Sequence, residues 1–341
     1  MINNKISVII PCRNEVNYIE NLLYSISESD YPINLIEVIV VDGMSDDGTR
    51  DLLFSIVNTI KVNIKVIDNK QKKTPYAFNI GIKASSGEFI LIAGARFILS
   101  KNYLSEAIKA IVLDQKIGCV GGKIINSFDN KTSEIISAAM SSSFGVGFNN
   151  FRTVNEDKYV DTVTPPFFRK TIFSEIGYFD EQLTRNQDDD FSYRLIQSGY
   201  KILLKSNIHI KYHVRGSFYN LYVQYKQYGY WKVFVNRKHK VVTTIRQLFP
   251  VLFVISIILL TLLSFIFPIL IYLLFFELAS YIILNFLFAS KDNGFNLING
   301  FKQMYACFIL HLSYGLGYLE GIYDFIFLNN IPNEKNEKLS R

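Results

Sequence analysis

Residues 38–50 read VIVVDGMSDDGTR. An apolar run ends on Asp42, and a glycine-bearing turn with Asp46 and Asp47 follows. A short apolar run bounded by turn residues is the pattern of a buried strand. A strand that stops on a carboxylate puts charge at its tip, where α/β sheets bind ligands. That carboxylate can accept from a base imide or from ribose hydroxyls. Equally, the aspartates of the turn can cap the next helix. This stretch alone leaves both readings open.

The neighbouring segments extend the pattern. Ile6–Pro11 is another apolar run, and Ile19, Leu22, Leu23 and Ile26 then share a helical face. The strand at Ile36–Val41 precedes a helix marked by Leu52, Leu53, Ile56, Val57 and Ile60. Val62–Ile67 predicts a third strand, and Thr74-Pro75 a helix start, with a capping oxygen before a first-turn proline. Phe89–Ala93 predicts a fourth strand. Leu104, Ile108, Ile111 and Val112 line another helix, and Gly118–Ile125 a further strand. This alternation predicts an α/β fold with a parallel, doubly wound sheet. No G-x-G-x-x-G follows the first strand, so a dinucleotide fold is poorly supported, and no G-x-x-x-x-G-K-[ST] occurs, which removes a P-loop.

Two further stretches bear chemistry. In LIAGARF, residues 91–97, the strand breaks at Gly94 and Arg96 sits just past its tip. In RNQDDDFSYRLIQSG, residues 185–199, three aspartates lead a helix that has Phe191 and Leu195 on one face and is closed by Gly199. Capping and the helix dipole need one or two acids there, not three. A cluster of like charges raises at least one pKa, which suits a general base.

Of the 341 residues, 49% are hydrophobic and 15% aromatic, and the formal charge is +6. The basic balance suggests an anionic partner. The cysteines, Cys12, Cys119 and Cys307, have no zinc or disulfide spacing, which fits a reducing cytosol. The apolar run before Pro11 and Arg13 is too short for the core of a signal peptide. From Leu248 to Ser290 the only ionisable residue is Glu277. As helix that run would be roughly 64 Å long. A bilayer core is about 30 Å thick, so it reads as two spans turning near Phe267-Pro268. Arg237, Lys238, Lys240 and Arg246 flank it, which by the positive-inside rule places the preceding domain in the cytoplasm. Residues 304–328 are apolar but carry His311, Glu320 and Asp324, and either span or lie in the interface. Trp231 and the tyrosines of 215–238 suit a membrane–water boundary or an aromatic-rich helix packed on the domain. The expected divisions are 1–214, an interfacial segment 215–246, a membrane region 247–328 of two to three helices, and a polar tail 329–341.

Taken together, IIPCRNE, VIVVDGMSDDGTR, RNQDDDFSYRL and QYKQYGYWK ahead of apolar helices resemble a family 2 glycosyltransferase, of the membrane-attached kind related to succinoglycan biosynthesis enzymes. The resemblance covers about residues 4–240. It implies a GT-A fold and an inverting transfer from a nucleotide-sugar donor, a UDP-sugar first, to a saccharide or polyprenyl-linked acceptor. Pro11 and Glu15 then fall in the first nucleotide-contacting segment. Asp42 falls on the base-binding aspartate and Asp46 near the ribose. Asp188 falls on the catalytic base, with Asp189 and Asp190 beside it. Pro165, Pro166 and Phe167, in TPPFFRK, lie where the family binds its acceptor. Gln224 and Trp231 lie near a later family segment and carry no role over. The family usually holds a divalent cation, Mg or Mn, on an acidic motif at the fourth strand tip. That position here reads Gly94-Ala95-Arg96, so Arg96 is expected to take part of the metal's work on the diphosphate, with help from Arg185. A metal held by other groups, with His213 a ligand, is the competing arrangement. The expected location is the plasma membrane, multi-pass, with the catalytic domain cytoplasmic and no nucleic-acid partner. Two other readings compete: a degenerate membrane-anchored nucleotide-sugar-binding scaffold, favoured by the missing acid, and a nucleotidyltransferase, whose glycine-rich arginine-bearing N-terminal loop is absent.

Overall fold

The computed structural model describes residues 4–57, 59–128, 130–147, 152, 156–214, 216–292 and 296–332. Most of the polar tail expected at 329–341 therefore lies outside the described residues. The chain divides into two compact units, Met1–Ser127 with Val154–His213, and Phe128–Thr153 with Val214–Arg341.

The first unit begins β1 (Ile6–Cys12), α1 (Ile19–Ser27), β2 (Ile36–Asp42), α2 (Thr49–Ile56), β3 (Asn63–Asp68), α3 (Thr74–Ala84), β4 (Phe89–Ile92). The apolar face read for α1 is the buried one: Ile19, Leu22, Leu23 and Ile26 have no exposed surface. Each such side chain stabilises the fold by about 1.5–3 kcal/mol. α3 differs in one detail. Thr74 is already helical, Lys73 is the N-cap, and no side chain caps it. The chain continues through β5 (Phe97–Leu99), α4 (Tyr103–Leu113) and β6 (Ile117–Ser127).

Next come α5 (Lys131–Ser141) and α6 (Ser143–Val146), which belong to the second unit. The sequence suggested an unbroken domain over 1–214. α5 instead buries Ile135, Ile136, Ala139 and Met140 within the helical unit. The first unit resumes at β7 (Lys158–Val160), β8 (Phe167–Arg169), α7 (Ile172–Glu175), α8 (Gln187–Gln197) and β9 (Lys201–His213).

The nine-stranded sheet has the order β3-β2-β1-β4-β8-β6-β9-β5, with β7 on β9. β3, β2, β1 and β4 are parallel. Cys12, Asp42 and Asp68 are register partners, so three strand tips end level. β8 is antiparallel to both its neighbours, which makes the sheet mixed rather than parallel throughout.

The second unit also contains α9 (Phe218–His239), α10 (Phe249–Ser264), α11 (Leu270–Asp292) and α12 (Leu297–Gly321). α9 and α12 approach backbone to backbone. A Cβ on Gly317 would lie 1.9 Å from the Lys226 carbonyl oxygen, and one on Gly229 2.1 Å from that of Tyr314. Trp231 is 1% exposed, with ring contacts to Phe234 and Phe325. Its indole is therefore engaged in helix packing. Arg237 donates to the carbonyls of Phe325 and Asn330, closing the turn that follows α12. Among the described residues, two helices, Ile245–Ser264 and Leu270–Asp292, are long and apolar enough to cross a membrane, with mean hydropathy 2.4 and 2.0. Only 11% and 6% of their apolar windows are buried, unlike core helices of a soluble protein.

Candidate active site

The β2 tip is built first. Asp42 is fully buried. Its Oδ1 accepts from Ser45 Oγ at 2.5 Å, and its Oδ2 from Ser45 N at 3.1 Å and Arg50 Nη1 at 2.8 Å. Arg50 also reaches Asp68 Oδ1 at 2.9 Å, tying the β2 and β3 tips together. Asp46 and Asn14 bond reciprocally: Asn14 Nδ2 donates to Asp46 Oδ1 at 2.8 Å, and Asp46 N to Asn14 Oδ1 at 3.1 Å. Asp47 accepts from Thr49 N and Val16 N. Burial acts to raise the Asp47 pKa, but these bonds and one from the Thr49 hydroxyl outweigh it and hold the carboxyl below its ordinary range. Glu15 N donates to Thr49 Oγ1 at 2.9 Å. The loops after β1 and β2 are thus one stapled structure, and Pro11 lies in β1 opposite Val41.

The β4 tip adjoins it. β1 has β2 on one side and β4 on the other, so the strand order reverses here and the connections diverge to leave a crevice. Arg96 bridges it: its Nε donates to Glu15 Oε2 at 2.8 Å. Its guanidinium carbon stands 4.7 Å from the Tyr18 ring centroid, and Tyr18 is 5.4 Å from the His213 ring. Two residues assigned independently from sequence, Glu15 and Arg96, are therefore partners.

The aspartates of α8 separate. Asp190 is fully buried and pairs with Arg194 at 3.0 Å, whose other nitrogens hold the carbonyls of Ile176 and Tyr178. Asp189 accepts from Asn186 Nδ2 at 3.3 Å. Asp188 is exposed. The run is not one like-charged cluster, as its spacing suggested; one carboxylate lies in the core, neutralised. Just upstream, Thr184 Oγ1 and Gln187 Oε1 are buried with no hydrogen-bond partner among the described residues. Asn14 after β1, Met44 after β2 and Asn186 before α8 have left-handed backbone with φ of 55°, 59° and 58°. Such conformations are uncommon outside glycine and concentrate at functional sites.

Residues 162–167 connect the β4 tip to α8. Pro166 O accepts from Ile92 N at 3.1 Å, and Thr162 Oγ1 from Ser192 Oγ at 3.2 Å. Pro165 is buried and its carbonyl accepts from Tyr103. Phe167 has no exposed surface and stacks on Phe89 at 5.6 Å. The expectation that Phe167 contacts the acceptor is corrected: its side chain belongs to the core, and Pro166 alone of the three remains partly exposed. Sequence reasoning missed Asn14, Tyr18, Ser45 and Arg50. Asn14, Ser45 and Arg50 stood inside the quoted motifs; Ser45 and Arg50 hold Asp42 of the same motif, whereas Asn14 meets Asp46 and Arg50 meets Asp68 across to other loops.

The groups around the β4 tip do not fit the family's divalent cation. Ala93, Gly94 and Ala95 offer no side-chain donor, Arg96 brings a cation, and Glu15 is committed to it. Among the described residues no three His, Cys, Asp or Glu gather in a metal-holding group.

The family model "Glycosyl transferase family 2" matches residues 7–177. Among curated proteins, a dolichyl N-acetyl-alpha-D-glucosaminyl phosphate 3-beta-D-2,3-diacetamido-2,3-dideoxy-beta-D-glucuronosyltransferase of Methanococcus voltae is 32% identical over 69% of this chain and 75% of its own. The succinoglycan biosynthesis protein ExoA of Rhizobium meliloti is 25% identical over 71% and 73%. Among solved structures, a mannosyltransferase of Pyrobaculum calidifontis in complex with GDP-Man and Mn2+ superposes with a TM-score of 0.53 at 19% identity, covering 69% of this chain and 64% of that one. At that identity the likeness speaks for the fold.

Proposed function

Because the chain belongs to glycosyltransferase family 2, we propose that it moves a sugar, with inversion, from a nucleotide-sugar donor to a saccharide or polyprenyl-linked acceptor in the synthesis of a cell-surface glycan. The observation that carries the reading is the strand-order reversal at β1, whose loop is stapled to the β2 loop by Asn14 and Asp46 and to the β4 tip by Glu15 and Arg96, while residues 162–166 bond both β4 and α8, the helix that carries exposed Asp188. The nucleoside belongs over the β2 and β3 tips. Asp42, saturated by Ser45 and Arg50, orders that surface, and Asp46 lies beside the ribose. Asp188 takes the proton of the acceptor hydroxyl, which attacks the anomeric carbon from the face opposite the diphosphate. Several relatives' names support this class of substrate: one is a glucuronosyltransferase acting on a dolichyl-linked sugar, another a succinoglycan biosynthesis protein.

The two apolar helices attach the enzyme to the plasma membrane. Lys238, Lys240 and Arg246, ahead of the first, favour a cytoplasmic catalytic unit by the positive-inside rule. Protease added outside sealed cells is expected to spare that unit; ready digestion there refutes the orientation.

The test is release of nucleoside diphosphate from a panel of nucleotide sugars by purified membranes, with Asp188→Asn as control. Release that the variant loses supports the assignment. The missing acid at the β4 tip favours a second reading, a nucleotide-sugar-binding scaffold, for which donor would bind and no release would follow.

A further inference from the structure

We propose that Arg96, held by Glu15 and Tyr18, supplies the counter-charge for the leaving diphosphate, so that this enzyme transfers sugar without a divalent metal. The inference rests on the transferase reading above and deepens it. Three observations carry it.

The first is position. Arg96 lies at the β1–β4 reversal, where the crevice opens, at the tip whose preceding residues, Ala93 to Ala95, lack any side-chain donor.

The second is fixation. The Glu15 bond at Nε and the Tyr18 ring hold the guanidinium from two sides, and its side chain is 27% exposed. Among the described residues Nη1 and Nη2 have no hydrogen-bond partner, so the fork retains two parallel donors. A planar fork matches phosphate oxygens, and a group already held in place loses little freedom on binding them.

The third is charge. A guanidinium stays protonated throughout the working pH range. In a partly desolvated cleft it stabilises developing negative charge without reorganising. Glu15 offsets part of that charge, and Arg13, the first residue beyond β1, is a second cation at the neighbouring strand tip.

The step balances without a co-reactant. The acceptor hydroxyl gives its proton to Asp188 while its oxygen lone pair forms the new bond to the anomeric carbon. The bond from that carbon to the β-phosphate oxygen breaks, and its electron pair leaves on that oxygen, opposite Arg96. Glu15 is a positioning residue and does not touch the donor.

The experiment uses the full chain in detergent or membranes. Diphosphate release and the binding of UDP, GDP and uridine are measured in EDTA and with added magnesium or manganese. Expected are equal turnover and equal binding with and without metal. Arg96→Ala should lower turnover and diphosphate affinity by roughly 10²-fold and leave uridine binding unchanged. Arg96→Lys should recover part of both, which also guards against a misfolded alanine variant. Turnover abolished by EDTA and restored by either metal overturns the proposal while leaving the transferase reading standing. Unaltered UDP affinity in Arg96→Ala overturns it as well. Nucleotide binding with no transfer under any condition overturns both together.

Discussion

The chain carries two acid-rich stretches, DGMSDD after β2 and QDDD at the start of α8, which look alike as letters and differ in use. After β2 each aspartate is held in place by the protein: Asp42 by Ser45 and Arg50, Asp46 by Asn14, Asp47 by Thr49 and Val16. At α8 the three sit on consecutive helical positions about 100° apart. One faces inward and pairs with Arg194, the next meets Asn186, and Asp188 faces water. A loop can turn every carboxylate toward a partner. A helix distributes them around its axis, so a run of acids there necessarily divides between core and solvent. The β2 loop is accordingly an ordered set of held carboxylates, and the α8 start exposes one carboxylate, Asp188, the base proposed above.

The sharpest test of that contrast is Asp188→Asn. Expected is a fall in kcat of about 10²–10⁴ with nucleotide binding retained, read by product release and by calorimetry. Near-normal turnover would move the base to Asp189.

Asp190→Ala should show the opposite profile. Removing one partner of a buried pair costs about 3–5 kcal/mol, so the expected result is a lower melting temperature with little change in KM of what remains folded. A variant as stable as the parent would contradict the structural role given to Asp190.

At the β2 loop, Asp42→Ala should weaken donor binding by roughly 10-fold, because Arg50 and Ser45 lose the acceptor that orders them, a charged-group hydrogen bond of about 1.5–3 kcal/mol. If Asp42 touches the base directly, UDP and GDP affinities will shift unequally; if it only orders the surface, they will fall together.

The smallest effect belongs to Asp47. Its exposed side chain accepts from Thr49 N at the first turn of α2, and Asp47→Ala should cost about 0.5–1 kcal/mol, softened by solvent screening. Its pKa is lowered in the fold, so its contribution is complete above the ordinary aspartate range and is lost as pH falls through the folded value. Parent and variant stability should therefore converge in acid. A constant difference down to pH 2 would place the effect elsewhere.

Much of this was legible from the letters. Periodicity located β1, β2, β4, α1 and α8, because burial of one face imposes it locally. The quoted motifs contained Glu15, Asp42, Asp46, Arg96 and Asp188. Illegible were the partners: that Arg96 meets Glu15, 81 positions away, or that Asn14 meets Asp46, 32 away. Phe167 shows the reverse failure. Next to two prolines it falls where the family binds its acceptor, yet pairing of β8 with β4 turns its ring onto Phe89.

The sequence by itself determined the α/β alternation, the two long apolar helices and the acids at two strand or helix tips, since these depend on interactions within a few residues. Only the tertiary structure decided the direction of β8, the departure of 128–153 to the helical unit, the burial of Asp190 and Trp231, and the bridge across the β1–β4 crevice. Each of these depends on which distant surface a segment meets. That choice is made by the packing of the whole chain, where a neighbour far off in sequence supplies the hydrogen bond or the apolar contact that local pattern cannot specify.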